Sequence, residues 1–257
     1  LELNELLSPR TAGDLQQAAV KALAAMGEDT VPQSLLRAWV SFSPQTRTTA
    51  LDALLSREPW AFALLERIRA GDAIALDVSQ RARVLKHSSK RVREMAAAAF
   101  TSTGSRAQVI EQFQPALQLV GDAGRGRAIF ASACITCHQD GETGVEVGPD
   151  LKSVANHPPE KLLANILDPS ADVQPGYHAY QCELTDGSEL YGLITAETGN
   201  SLTFKTADGR SRVVLRTTIK SLGSANTSLM PDGLEAGMTP QDLADLIQFV
   251  RTIATAR

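Results

Sequence analysis

Residues 134–138 read Cys134-Ile135-Thr136-Cys137-His138, and this pentapeptide constrains the chain more than any other stretch. C-x-x-C-H is the attachment signature of c-type haem. Two thiols at this spacing face the two vinyl groups of one porphyrin and form thioether bonds to it. The imidazole that follows then lies beneath the iron as an axial ligand. The same residues fit other chemistry less well. A thioredoxin-like thiol pair calls for a strand–helix–strand context, which this stretch lacks. A tetrahedral zinc site needs four ligands, and Cys182, His87, His157 and His178 offer no finger-like spacing to complete one.

With 257 residues, of which 43% are hydrophobic, the chain is long enough for two or three globular domains. A net charge of −4 argues against a general affinity for nucleic acid. No run of 18 apolar residues and no signal-peptide pattern is present, so no transmembrane segment is expected. The sequence starts at Leu1 in a stretch that already reads as helix, so a mature or excised piece of something longer is expected. Haem c is attached outside the bacterial cytoplasm, so a secretion signal is expected upstream, and a periplasmic or otherwise extracytoplasmic location with it. Three cysteines do not make a disulfide framework, and Cys182 is expected to be a buried, inert thiol. Charge is uneven: residues 1–120 carry +2 and the remainder −6, which suggests two domains, 1–120 and 121–257.

The first of these reads as helices. Leu15, Ala18, Ala19, Ala22, Leu23 and Met26 recur at helical spacing, with Asp14 placed as a cap and Gly27 as a stop. Pro32 to Phe42 suggests a second helix burying Leu35, Leu36, Trp39 and Val40. Ser43-Pro44 opens a third with Ala50, Leu51 and Leu54 inward, and Glu58-Pro59 a fourth that Gly71 ends. Met26 and Met95 are expected in the core. A shift of 46 residues places Arg47, Ala50, Ala53 and Leu54 on Arg93, Ala96, Ala99 and Phe100, the kind of match that HEAT-type helical repeats give. The basic run from Arg81 to Arg93 reads as a solvated helix face.

After the break at residues 121–126, a helix is expected from about Arg125 into the cysteines. Gly126 and Phe130 share one of its faces, suited to a close crossing with the last helix. Thr239-Pro240-Gln241-Asp242 starts that last helix, with Leu243, Leu246, Ile247, Val250 and Ile253 as its apolar stripe and Phe249 placed to meet Phe130. In the loop Gly148-Pro149-Asp150-Leu151, the Pro149 carbonyl is the expected acceptor for the second ring nitrogen of His138. Pro149 and Leu151 therefore join Cys134, Cys137 and His138 in the candidate haem-binding set. For the sixth position the chain offers Met26, Met95, Met230, Met238 and the remaining histidines. Met230 sits in a proline-bounded loop, Ser228 to Gly233, from which a thioether can reach iron without disturbing a helix; Met238 and His178 are the alternatives.

Between the motif and Met230 lies a strand-rich stretch, 177–223. Five strands are expected: Tyr177–Leu184, Glu189–Ala196, Ser201–Thr206, Arg212–Leu215 and Thr218–Leu222. The joints are Asp186-Gly187, Gly199-Asn200 and Asp208-Gly209. Such strands suit a small SH3-like or Sm-like barrel, serving here as a cover over the haem edge or a docking surface.

From residue 121 onward the chain resembles the haem-binding cytochrome c domain found in large secreted proteins of Planctomycetes and Verrucomicrobia. The residues that carry the likeness are Gly126 with Phe130, Cys134 to His138, Gly148 to Leu151, Ile166 to Pro169, Asp186-Gly187 with Gly192, Ser228 to Pro231, and Leu243 to Val250. The resemblance covers about half the chain. It implies one covalent haem c, with Cys134 and Cys137 as thioether anchors and His138 and Met230 as axial ligands. It implies a fold that is mainly α with a β insertion: HEAT-like repeats, then a class I-like cytochrome c fold carrying the five-stranded subdomain before the axial Met. In that family the domain often follows a dehydrogenase-like propeller. A donor dehydrogenase and a respiratory acceptor are thus the expected redox partners. An electron-transfer module, rather than an enzyme, is the leading expectation. The alternatives are a haem enzyme or peroxide- or gas-reactive sensor with a labile sixth ligand, and an interaction scaffold whose haem is structural.

Overall fold

A computed structural model describes residues 3–72, 74, 76–100, 106–141 and 143–253. These residues divide into two compact units. The first gathers the described residues of Leu1–Ser102, Val173–Thr206 and Ser211–Thr227, and the second those of Thr103–Asp172, Ala207–Arg210 and Ser228–Arg257. The strands, which follow the cysteine–histidine motif in sequence, thus group with the N-terminal helices. No described helix is long and apolar enough to cross a membrane.

In the first unit the helices are α1 (Gly13–Met26), α2 (Val31–Ala38), α3 (Pro44–Leu55), α4 (Glu58–Arg69), α5 (Val78–Leu85) and α6 (Lys90–Phe100). Local chemistry sets several of their boundaries. Ser43 caps α3, its Oγ accepting from Thr46 N, with Pro44 in the first turn. Asp77 and Gln80 close a reciprocal capping box at α5. The buried face of α1 differs from the expected one. Gln16, Ala19, Val20 and Leu23 point inward, while Leu15 and Met26 are 53% and 56% exposed. Gln16 tolerates burial because its amide is satisfied: Nε2 donates to the Leu7 and Ser8 carbonyls, and Oε1 accepts from Thr46 Oγ1. Asp14 accordingly sits inside the first turn, not at the cap, and Met26 is a surface residue, while Met95 packs partly buried against the helical core.

The strands are β1 (His178–Leu184), β2 (Glu189–Glu197), β3 (Ser201–Lys205), β4 (Ser211–Leu215) and β5 (Ile219–Ser228), in the order β4-β3-β2-β1-β5. The pairs β1–β2, β2–β3 and β3–β4 are antiparallel, as short hairpin joints require. A meander whose fifth strand returns beside its first is one ladder short of a closed ring. Tyr180, Cys182, Leu202, Phe204, Val214 and Ile219 form the apolar core of the sheet. Cys182 is fully buried there, and burial pushes its thiol up to about 11.

Polar links tie this sheet to the helices. Tyr180 Oη donates to the Phe42 carbonyl at 3.2 Å, and Gly13 N to the Gly199 carbonyl at 2.7 Å. Glu197 is the hinge of the arrangement: it pairs with buried Arg216 and accepts from Ser43 Oγ at 2.6 Å, while Arg216 also donates to the Pro9 carbonyl. Removing one member of a buried ion pair strands the other charge. Glu197→Ala is therefore expected to destabilise the chain by about 3 kcal/mol, read as a fall in the urea unfolding midpoint. Lys220→Ala, at the exposed pair with Glu183, should leave that midpoint in place. Equal effects of the two would refute this account.

The second unit comprises α7 (Ala107–Phe113), α8 (Ala123–Ala133), α9 (Leu151–Val154), α10 (Pro159–Leu167) and α11 (Pro240–Ile253). Helix α11 is the hub, its stripe Leu243, Leu246, Ile247, Val250 and Ile253 buried with Phe130, Leu151, Leu162 and Leu167. Thr239 and Asp242 form a reciprocal cap at its start. Phe130 and Phe249 meet with ring centroids 5.4 Å apart.

Candidate functional site

The cysteine–histidine motif begins where α8 ends. Cys134 is the C-cap, its N–H donating to the Phe130 carbonyl at 2.9 Å. The backbone makes one more turn, with Cys137 N and His138 N both donating to the Cys134 carbonyl at 3.0 and 2.9 Å. The following loop then folds back onto it: Val147 N and Gly148 N donate to the Cys137 carbonyl, and Leu151 N to the Gln139 carbonyl. Both thiols are half-buried and free. Burial, reinforced by the neighbouring Cys137, pushes the Cys134 thiol up to about 11. The Ala207 carbonyl, part of this unit, lies 4.0 Å from Cys137 Sγ.

The geometry of His138 is specific. Its Nδ1 lies 2.8 Å from the Pro149 carbonyl, the acceptor suggested by the sequence. A carbonyl oxygen can only accept, so Nδ1 carries the proton and the lone pair sits on Nε2. Burial lowers the imidazole pKa, opposed by the Pro149 bond, so the ring is neutral near pH 7. No described residue bonds Nε2. Gly148 makes room for the ring: a Cβ there would lie 2.3 Å from His138 Cε1. Leu151 is buried at the start of α9, against the α11 core. Two free thiols at C-x-x-C spacing and an imidazole fixed with Nε2 open are the donor set that covalent haem requires, and the residues present fit it.

Placement of α8 depends on Gly126, as expected, and on Asp245, which the sequence did not mark as a partner. Asp245, 1% exposed on α11, accepts from Asp122 N at 2.7 Å, from Arg125 Nε at 2.6 Å and Nη2 at 3.0 Å, and from Gln241 Nε2 at 2.9 Å. Gly126 allows the helices to touch, since a Cβ there would fall 2.0 Å from the Asp245 carbonyl. The available signal was an acid directly preceding Leu246 in an otherwise apolar stripe.

The second unit also holds Met230. It follows β5 in a non-helical loop, half-buried, its N–H donating to Ser228 Oγ at 3.1 Å. The loop is anchored on both sides: Ser228 N donates to Ser170 Oγ, and Glu235 pairs with Arg106, which also donates to the Leu167 carbonyl. Buried Asp168 sits close to the same loop, its carboxyl raised by burial and then by Asp232. Met238 packs partly buried against the α11 core. His157, in this unit too, has a buried Nδ1 without a partner among the described residues. His178, Met26, Met95 and His87 belong to the other unit.

The family model described as Cytochrome c matches residues 123–189, about a quarter of the chain. The matched stretch contains α8, both cysteines, His138, Pro149 and Leu151, and ends before Met230. It supports a cytochrome c domain in this chain, and with it covalently bound haem c, haem-based electron transfer and redox partners. No curated protein matches the chain.

Hydrogen bonds from Arg125, then from Asp122 and Gln241, hold the Asp245 carboxyl down to about 2, against an ordinary 3.8. A lowered folded-state pKa gives stability that is present above the unfolded value and lost as the acid form fills. The parent should therefore lose this contribution as pH falls from about 4 to about 2. Asp245→Asn should be less stable at neutral pH and shallower over that interval in urea unfolding at stepped pH. An unchanged acid slope would remove Asp245 from this role.

Proposed function

We propose that the chain is a monohaem c-type cytochrome module that passes single electrons outside the cytoplasm and is not itself an enzyme. The observation that carries this reading is His138 oriented by the Pro149 carbonyl at Nδ1, with Nε2 open, one residue after a half-buried free thiol. Cys134 and Cys137 would anchor haem, His138 would supply one axial nitrogen, and Pro149 would keep that nitrogen's orientation and tautomer. Leu151 would close the apolar floor. Bound haem supplies a one-electron iron couple. Met230 is the proposed second axial donor, in a loop tied down at Ser228 and Glu235; a thioether raises the potential relative to a second imidazole. With both positions filled, the residues favour outer-sphere electron transfer over substrate chemistry at the metal.

The wider setting belongs to the same proposal. The module is of the Planctomycete and Verrucomicrobium type, drawing electrons from a linked or partner dehydrogenase and delivering them to a respiratory carrier. The N-terminal helices are HEAT-like. In support, Arg47 and Arg93, superposed by the 46-residue shift, both donate to carbonyls just ahead of their own helix: Arg47 to Trp39 and Val40, Arg93 to His87 and Ser88.

The test is the optical spectrum of the protein matured with haem. The expected result is haem that resists acid–acetone extraction, a c-type alkaline pyridine spectrum, and a weak red Met-to-iron band when oxidised. Met230→Ala should lose that band and gain binding of exogenous imidazole, while keeping the covalent haem. Absence of covalent haem sinks the reading. A band that persists in Met230→Ala moves the ligand to Met238, and a parent with no band but no exogenous binding moves it to a histidine.

A further inference from the structure

Residues Ala207–Arg210, in the joint between β3 and β4, group with the cysteine–histidine unit and not with the strands on either side of them. They lie outside residues 123–189, the stretch that matches the cytochrome c family. What they touch points to a role at the haem.

The first contact is with the motif itself. The Ala207 carbonyl oxygen is 4.0 Å from Cys137 Sγ. A haem carbon attached to that sulfur would lie one covalent bond from it. Whatever the direction of that bond, Ala207 is then a neighbour of the porphyrin edge.

The second contact is with the loop that folds back on the motif. A Cβ at Gly209 would fall 2.5 Å from Val145 Cγ1 and 4.0 Å from Val147 Cγ2. The turn therefore rests its backbone against Val145. Both valines are fastened to the motif: Val145 N donates to the Ile135 carbonyl at 3.1 Å, and Val147 N to the Cys137 carbonyl at 3.0 Å. One short turn thus bears on Cys137 twice, directly at its sulfur and through Val147 at its carbonyl.

The joint between β1 and β2 shows what a turn needs when it has no such task. Asp186 Oδ1 accepts from Ser188 N at 2.8 Å, as Asp208 Oδ1 accepts from Arg210 N at 3.2 Å. The glycine between them has a φ of 83° at Gly187 and 78° at Gly209. A Cβ at Gly187 would meet none of the described residues within 4 Å, so positive φ alone accounts for that glycine. Gly209 carries a second requirement, close approach to Val145.

We propose that the β3–β4 turn is a wall of the haem site, standing over the Cys137 thioether and keeping water from that edge of the porphyrin. The proposal rests on the haem reading and extends the site beyond the stretch that the family matches. Of the two roles the sequence allows the strand-rich stretch, cover or docking surface, it assigns cover to a single turn. The turn supplies no ligand to iron. Asp208 and Arg210 pair with each other at 3.3 Å, so it brings no net charge either. Its effect is desolvation: backbone and valine methyls in place of water disfavour the more highly charged ferric state and raise the potential.

The test uses the haem-matured full chain, with the alkaline pyridine assay run first. Amide NMR spectra of the parent are assigned by triple resonance and recorded oxidised and reduced. Low-spin ferric iron displaces and broadens the signals of nearby nuclei, and the effect falls steeply with distance. The Ala207 and Gly209 amides are expected to be displaced or broadened on oxidation and restored on reduction. The midpoint potential is then measured for Gly209→Ala and Gly187→Ala. Both variants carry the same positive-φ strain, but only Gly209→Ala pushes the turn off Val145. Gly209→Ala is expected to have a lower potential than the parent, and Gly187→Ala the same potential. Equal shifts in the two variants reduce the effect to backbone strain and overturn the proposal. If Gly209→Ala does not fold, the parent spectra decide alone. Covalent haem with Ala207 and Gly209 amides indifferent to oxidation state overturns the wall and leaves the haem reading intact. A pyridine assay without covalent haem removes that reading and this inference together.

Discussion

The carboxylate of Asp245 lies buried where α8 meets α11, and the rest of the haem-motif unit depends on how it is satisfied. It takes hydrogen bonds from a backbone N–H, a guanidinium and an amide, three of them from the first residues of α8 or just before it. That fixes both where α8 begins and how it is rotated. Gly126 lets the backbones close to contact, and the Phe130–Phe249 pair fills the space one turn further on. Since Cys134 caps the same helix, the position of the first thiol is set by groups at its other end.

The second half of the motif is set by the loop that follows. The Cys137 carbonyl accepts two N–H groups from Val147 and Gly148, and the Pro149 carbonyl takes the His138 proton. These bonds reach in opposite directions between loop and motif, so neither can reposition alone. A side chain at 148 would collide with the imidazole. The loop therefore does three jobs: it orients the ring, selects its tautomer and leaves Nε2 for the metal.

Much of this was legible because it is local. The pentapeptide, the cap residues at Ser43 and Thr239, the hairpin joints and all five strands follow from spacing and backbone preference within a few residues. Pro149 was legible for the same reason, lying eleven residues from its histidine. What was not legible involves partners far apart in sequence. Leu15 and Met26 look like core on a hydrophobicity count, but the α1 face rotates to bury Gln16, whose amide finds partners at Leu7, Ser8 and Thr46. The grouping of the sheet with the N-terminal helices rests on Glu197, Arg216 and Ser43, up to 173 residues apart, and no periodicity marks such a triad. Asp245 was missed likewise, because an isolated polar residue in an apolar pattern reveals nothing about who satisfies it.

Around the cysteine–histidine motif the Cys134 and Cys137 carbonyls and the His138 Nδ1 proton have protein partners, while no described residue bonds His138 Nε2, the atom that a metal would take. The protein has already met the cost of holding the ring, so binding energy need not be spent on ordering it.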